Sequence, residues 1–222
     1  MASWIRRNRG FLLFLVGLGL FRTAIADWNP IPSGSMRPTL LEGDVVLVDR
    51  TAYDIKLPLT DIALARLAEP VRGDVVTFTS PNDGVRLIKR IVAVPGDVVE
   101  MRNEVLTING AAASYTRRDV GSEARPDGSV TSVVHATERL DGREHAVQFL
   151  PGLPALRSFE PVVVPKDQYL VLGDNRDDSA DSRYIGFVPR QLLIGRAHRI
   201  LASADILGSW APRAGRFGSR ID

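Results

Sequence analysis

The chain has 222 residues, 45% of them hydrophobic and 24% charged, and 28 Lys plus Arg against 26 Asp plus Glu leave a formal charge of only +2. That balance is ordinary for a globular domain, demands no nucleic-acid partner, and leaves enough chain for a core that needs no metal or staple. The absence of cysteine excludes disulfides, thiolate nucleophiles, cysteine-held zinc or iron–sulfur centres and lipid attachment through cysteine. No His-Glu-x-x-His or Gly-Lys-Ser/Thr string supports a zincin-type protease or a P-loop nucleotide enzyme.

Residues 1–10 carry Arg6, Arg7 and Arg9 and read as a cytoplasmic N-terminus, because the positive flank of a membrane segment stays inside. Phe11 to Phe21 is an unbroken run of apolar residues and glycines, followed by Arg22. As helix that run reaches about 16 Å, whereas Phe11 to Trp28 reaches about 27 Å against a hydrocarbon core of about 30 Å. A transmembrane anchor over 11–27 is one reading, with Trp4 and Trp28 at the interfaces. A cleaved secretory signal ending at Ala24-Ile25-Ala26 is the other. Both place the remainder outside the cytoplasmic membrane.

From Asp44 the pattern is of strands: Asp44 to Asp49, Asp74 to Phe78 and Arg86 to Val94, each bounded by Gly-Asp or Pro-Gly turns. Val98 to Met101 and Val105 to Ile108 flank a turn at 102–104, and Asn109-Gly110 turns the chain again, which predicts an antiparallel meander. Thr60 to Leu67 is the best helix candidate, with Thr60 as N-cap and Pro70 as stop. A polar stretch at 116–159, with a strand at Val130 to Ala136, reads as an insertion or small subdomain within a β core of 28–115 and 160–207. Val162 to Val164 and Tyr169 to Leu172 resume that core, and 208–222 is expected to be a mobile tail rich in Gly, Arg and Ser.

Three segments carry residues capable of chemistry. Ile31 to Leu40 reads I-P-S-G-S-M-R-P-T-L, in which prolines and a glycine fix the backbone around two serines; a plain surface turn accounts for the same string. A nucleophilic serine needs a base. His135, His145 and His198 have no acidic partner at a telling spacing, which leaves lysine, and the chain has three: Lys56, Lys89 and Lys166. Lys89 shares its strand face with Leu87, Ile91 and Ala93, where desolvation would favour the neutral amine; a lysine snorkelling from a strand edge is the bland alternative. Gly173 to Pro189 packs four Asp, two Arg, two Ser and an Asn straight after an apolar strand. A calcium loop is disfavoured there, because Arg176 and Arg183 would sit beside the cation and no Glu stands at the twelfth position; a solvated charged loop stays open.

Together these segments resemble the type I signal peptidases, membrane-bound serine proteases that remove signal peptides from exported proteins with a serine–lysine pair. The resemblance runs in order through the apolar segment, P-S-G-S-M-x-P-T-L at 32–40, R-G-D-V-V at 72–76, the lysine strand ending in P-G-D at 87–97, and G-D-N-R-D-x-S-x-D-S-R at 173–183. The short first span, the lack of a second one and the polar insertion differ from some members. The resemblance implies Ser35 as nucleophile, Lys89 as general base, Ser33 as a hydroxyl oxyanion donor, and Ser179 as the group orienting the lysine amine. Asp181 and Arg183 match a supporting polar pair, Arg90 follows the base, and Asp174, Asn175 and Arg176 are structural supports. Ile31, Met36, Leu40, Leu87 and Ile88 match apolar positions around pockets that admit only small side chains at −1 and −3. It further implies a mainly β fold, an antiparallel, coiled, barrel-like sheet on one N-terminal transmembrane helix. The partners implied are the signal peptides of exported preproteins and the lipid bilayer, with no cofactor or metal, for a monomer on the outer, periplasmic face of the bacterial cytoplasmic (inner) membrane. Self-cleaving repressors share such a pair but carry a DNA-binding helix-turn-helix where this chain has an apolar segment.

Overall fold

The computed structural model describes residues 2–124 and 129–221. Met1, 125–128 and Asp222, parts of the expected N-terminal, insertion and tail segments, lie outside the described residues. Helices α1 (Ala2–Arg7) and α2 (Arg9–Ala24) precede β1 (Ala26–Pro30) and β2 (Asp44–Asp49). A hairpin of β3 (Asp54–Lys56) and β4 (Ala63–Arg66) leads to β5 (Val75–Thr79), β6 (Arg86–Ala93), β7 (Val98–Arg102), β8 (Val105–Ile108) and the short β9 (Ala111–Ala112). Then come β10 (Ser114–Ala124), β11 (Val130–Leu140), β12 (Arg143–Phe149), β13 (Phe159–Val163) and β14 (Gln168–Leu172), the one-turn α3 (Ser182–Ile185), β15 (Val188–Pro189) and β16 (Leu193–Ser203).

The architecture is mainly β and antiparallel. One sheet runs in the order β1-β2-β16-β5-β6-β14-β15, a second β13-β7-β8-β9, and a third β10-β11-β12. Among the described residues the seven-stranded sheet is an open run, whose edge strands β1 and β15 are not paired with each other. The meander forms because Asn103 and Glu104 (φ 48° and 72°), and again Asn109 and Gly110 (φ 51° and 81°), take the left-handed backbone that two-residue hairpins need. Between these sheets lie Val92, Val99, Met101, Leu106, Leu170 and Leu172, all buried.

Four expectations are corrected. The helix at the amino end stops at Ala24, after 16 residues and about 24 Å, and among the described residues no helix is long and apolar enough to cross a membrane. The anchor over 11–27 fails as one helix because Ala26, Asp27 and Trp28 pair with Asp49, Val48 and Leu47 of β2, and a backbone committed to a ladder cannot continue a helix. Thr60 to Leu67 is not helical: Leu59 turns at φ 67°, the Thr60 hydroxyl donates to the Leu57 carbonyl rather than capping a helix, and Ala63–Arg66 pairs with β3. All four residues of β4 are exposed, so a helix there would have had no face to bury. The polar stretch holds three long strands rather than one; β11 buries Val133, Ala136 and Glu138, which are interleaved with polar residues. The tail, expected to be loose, is tied back over 208–221: Arg216 pairs with Asp44, Arg213 Nη1 donates to the Glu42 and Ala204 carbonyls at 2.9 Å, and Arg220 bridges Arg199.

The third sheet is fastened to the second half of the chain through β12. Gln148 N donates to the Asp174 carbonyl and Arg176 N to the Gln148 carbonyl, both at 2.9 Å. Beneath this bridge Arg176 donates from Nη1 and Nη2 to the two oxygens of Glu138 at 2.7 Å each, with side chains 2% and 0% exposed. Burial alone would raise Glu138, but the charge and hydrogen bonds of Arg176 hold its carboxyl well below the usual range. Removing one partner strands a buried charge, so Glu138→Ala should lower unfolding free energy by about 3–5 kcal/mol in urea titrations, and adding Arg176→Met should restore much of the loss.

Candidate active site

Ser35 sits half-buried in a one-turn 3-10 segment, Gly34–Met36, whose flanks Ile31, Met36 and Leu40 are anchored in a buried cluster with Val46, Val48 and Ile200. The turn closes on itself through Arg37 N donating to the Gly34 carbonyl at 3.0 Å. Asn175 pins it from across the fold, its Nδ2 donating to the Gly34 carbonyl at 3.0 Å and its backbone N to the Ser35 carbonyl at 3.2 Å. This close approach needs Gly173, where a Cβ would collide with Ser179 Oγ and the Ser35 carbonyl oxygen.

Lys89 lies in the middle of β6, opposite Val76 of β5, and is 2% exposed. Its Nζ is 2.8 Å from Ser35 Oγ and 2.9 Å from the Ile88 carbonyl oxygen. Burial lowers the amine to about 8, while Asp181 and Asp174 act in the opposite direction. Lys56 is also buried and lowered to about 8, chiefly by desolvation, but its Nζ is spent on the Leu193 and Ile194 carbonyls at 2.5 and 2.7 Å.

The two carboxylates near Lys89 are each taken by a guanidinium. Arg90, which follows the lysine and points to the other face of the sheet, donates from Nε and Nη2 to Asp174 at 2.8 Å each, with Thr39 Oγ1 donating to the same carboxylate at 2.5 Å. Burial would raise Asp174, yet Arg90 holds it below the usual carboxylate range. Arg183 donates from Nε and Nη2 to Asp181 at 2.8 Å each, and Gly173 N donates to Asp181 Oδ2 at 3.0 Å. Asp181 also caps α3 through Arg183 N.

The remaining expected residues are distributed unevenly. Ser33 is exposed and lines a cavity of about 270 Å³ with Gly34, Arg37 and Asn175. Ser179 is buried beside Gly173, and its Oγ makes no hydrogen bond among the described residues, so the expected bond to the lysine amine is not formed. Ile88 packs on the cluster of Ile31, Met36 and Leu40, whereas Leu87 packs on a separate cluster with Val76, Phe78 and Tyr169, because neighbours in a strand face opposite ways. Sequence reasoning missed Thr39, the buried Glu138 and the half-buried Tyr115, whose hydroxyl donates to Glu138. None of the three falls at a spacing that would have marked it.

Against known proteins, the family model described as "Signal peptidase, peptidase S26" matches residues 2–202. The chain belongs to that family. It is 33% identical over 211 residues to the signal peptidase I of Pseudomonas aeruginosa, covering 90% of this chain and 72% of that one. It is 35% identical over 226 residues to the signal peptidase I of Aquifex aeolicus, covering 87% and 83%. A crystal structure of a signal peptidase I from Enterococcus faecalis aligns over 59% of this chain and 97% of its own length, at 32% identity and a TM-score of 0.35. The protein is accordingly a hydrolase, a serine peptidase of the signal peptidase type.

The lowered Lys89 has a consequence for stability. An unfolded lysine stays charged to about 10.4, so between pH 8 and that value the unfolded state binds the extra proton and stability rises with pH. Below pH 8 the burial penalty is full. The unfolding free energy of wild type relative to Lys89→Met should therefore rise by on the order of 3 kcal/mol from pH 7 to pH 10.5 in chemical denaturation.

Proposed function

We propose that the protein removes signal peptides from exported preproteins by serine–lysine catalysis. The observation that carries this reading is Lys89 Nζ at 2.8 Å from Ser35 Oγ, on a lysine 2% exposed. Neutral Lys89 takes the Ser35 proton as Oγ attacks the scissile carbonyl; the resulting ammonium gives that proton to the departing amine. The freed amine then activates water against the acyl-enzyme. The Ser33 hydroxyl and the Ser35 backbone N–H receive the developing oxyanion. Ser179, with an unpaired buried hydroxyl close to the Ser35 loop, orients the amine once substrate excludes water, and Arg90, Asp181 and Arg183 hold the surrounding charges in place.

Substrate binds as an added strand. In β6, Arg86 to Lys89 pair with β5 on one side only, because β14 begins its pairing at Arg90. The open edge of β1 lies nearby, and Arg86 reaches across to Asp27 at 2.9 Å and Asn29 at 3.0 Å. A peptide lying between these edges alternates its side chains, so −1 and −3 point together toward the apolar floor of Ile31, Met36, Leu40 and Ile88, while Leu87 packs on the opposite face of the strand. Met36 and Leu40 have no exposed surface to yield, which favours alanine-sized side chains.

The protein acts as a monomer at the outer face of the bacterial cytoplasmic membrane. Helix α2 buries none of its residues, and Phe11, Leu13, Phe14 and Val16 are each more than half exposed, so lipid is the natural cover for it. Ser35, eight residues beyond Asp27, then meets signal peptides at high effective concentration.

Detergent-solubilised protein incubated with a preprotein bearing Ala-x-Ala before the mature start should cut it once. Ser35→Ala and Lys89→Ala should each lower kcat by about 1000-fold or more while still binding it; residual cutting by both near wild-type rate would overturn the assignment. Preproteins enlarged to Phe at −1 or −3 should remain intact. The value of kcat/KM should climb with pH through about 8, as the amine of the free enzyme deprotonates.

A further inference from the structure

Behind the serine–lysine pair, on the face of the sheet to which Arg90 points, opens a cleft of about 680 Å³. Besides Asp74 and Arg90, its walls come from three further parts of the chain: Arg143 and His145 from β12, Arg196, His198 and Arg199 from β16, and Arg220 from the folded-back tail. The tail is seated there by the bridge between Arg199 and Arg220 and by Ile221 N donating to the His198 carbonyl at 3.1 Å.

Among the described residues the charge in this cleft does not balance. Arg90 is neutralised by Asp174, and Glu144, the other acid of the wall besides Asp74, is taken by Arg139 Nε at 2.7 Å. That leaves Arg143, Arg196, Arg199 and Arg220 against the single carboxylate of Asp74. Asp74 is itself engaged, accepting from the Tyr53 hydroxyl at 2.8 Å and Val71 N at 3.1 Å, and stands 3.7 Å from Arg196. Among the described residues no carboxylate pairs with Arg143 or Arg220. His198 Nδ1 is buried with no hydrogen-bond partner among the described residues.

The four arginines line one concavity, three of them exposed to solvent there, and an anion bound between them would relieve their mutual repulsion. Their planar forks match the oxygens of a phosphate, and the volume is that of a small-molecule site rather than of a single ion. We propose that this cleft binds a phosphate-bearing ligand, either the headgroup of an acidic lipid or a soluble phosphate compound, through Arg143, Arg196, Arg199 and Arg220. The site lies apart from Ser35 and makes no use of the peptidase reaction.

The test uses the full chain in detergent and reads binding, so it stands or falls independently of peptide cleavage. Calorimetric titration with pyrophosphate probes the soluble source. Flotation with phosphatidylcholine vesicles, with and without phosphatidic acid, probes the lipid source, the difference between the two removing the contribution of α2. Binding of pyrophosphate alone assigns a soluble ligand; a gain with phosphatidic acid alone assigns a headgroup. In whichever arm responds, Arg143→Gln combined with Arg220→Gln should weaken binding at least about 10-fold, since each charge-assisted bond is worth about that much. Arg102→Gln, whose partners Glu100 and Glu160 lie outside the cleft, should change nothing. Arg143→Gln alone, at an exposed strand end, gives the same reading should the double variant not fold. Binding in neither arm, or variants that bind as wild type does, would overturn the proposal.

Discussion

An amine loses its proton near neutral pH only where water and counter-charge are both kept from it, and the second condition is the harder one to meet here. Lys89 is 2% exposed, but two buried carboxylates, Asp174 and Asp181, stand close enough to favour its charged form. Left bare in a low-dielectric interior, either would hold the ammonium in place. Each is instead matched by a guanidinium in a two-bond fork, Arg90 on Asp174 and Arg183 on Asp181. A carboxylate closed by its own cation acts on a third group as a dipole, whose field falls away faster than that of a charge. The arginines therefore let desolvation prevail at Lys89 without removing the acids that organise the loop.

Those acids are indispensable for a different reason. The loop from Gly173 to Arg183 has little apolar content, and its shape is held by what its polar groups accept and donate. Asp181 takes Gly173 N and caps α3, Asp174 takes Thr39 Oγ1 from the far side of the Ser35 turn, and Asn175 clasps two carbonyls of that turn. The third sheet closes the arrangement from outside, since Gln148 of β12 pairs in parallel with Asn175 and Glu138 of β11 neutralises Arg176. The position of the serine thus depends on two residues of that sheet, Glu138 and Gln148, each more than a hundred residues further along the chain.

Such long-range dependence explains what could be read from the sequence and what could not. Strands with one dry face announce themselves: Asp44–Asp49 and Val105–Ile108 have the bounds their alternation predicts, and Arg86–Ala93 differs by one residue. The apolar neighbours of Lys89 pointed in the same way to its burial. The β10–β12 sheet was illegible beyond Val130 to Ala136 because part of what it buries is polar, Glu138 and Gln148, and periodicity arguments score such positions as solvent-facing. Thr60 to Leu67 misled because Thr followed by mixed apolar residues fits a helix start as well as a turn, and exposure of both faces, which decides it, is not visible in one dimension. The tail's anchor, Arg216 on Asp44, spans 172 residues, and no local signal encodes that distance. At the site, the Arg90–Asp174 pair is similarly remote, at a separation of 84, so the resemblance marked both residues without giving the bond between them.

The junction of α2 with the catalytic sheet follows from the same economy of contacts. Only Ile25 separates the end of α2 from the start of β1, so there is no slack between them. Asp27, 5% exposed, binds Arg22 of the helix at 2.8 Å and Arg86 of β6 at 2.9 Å, and Arg22 lies over the Trp28 ring at 4.5 Å. The tip of the β3–β4 hairpin joins the same corner, with Leu59 N donating to Thr23 Oγ1 at 3.1 Å and Leu57, Leu59, Ile62 and Leu64 exposed beside it. One carboxylate therefore ties the helix to both strands that border the proposed substrate groove. On the proposed reading of α2 as lipid-covered, the lipid would also set the height and tilt of that groove, and a short corner would do this without the ordering cost that a flexible linker imposes at each encounter.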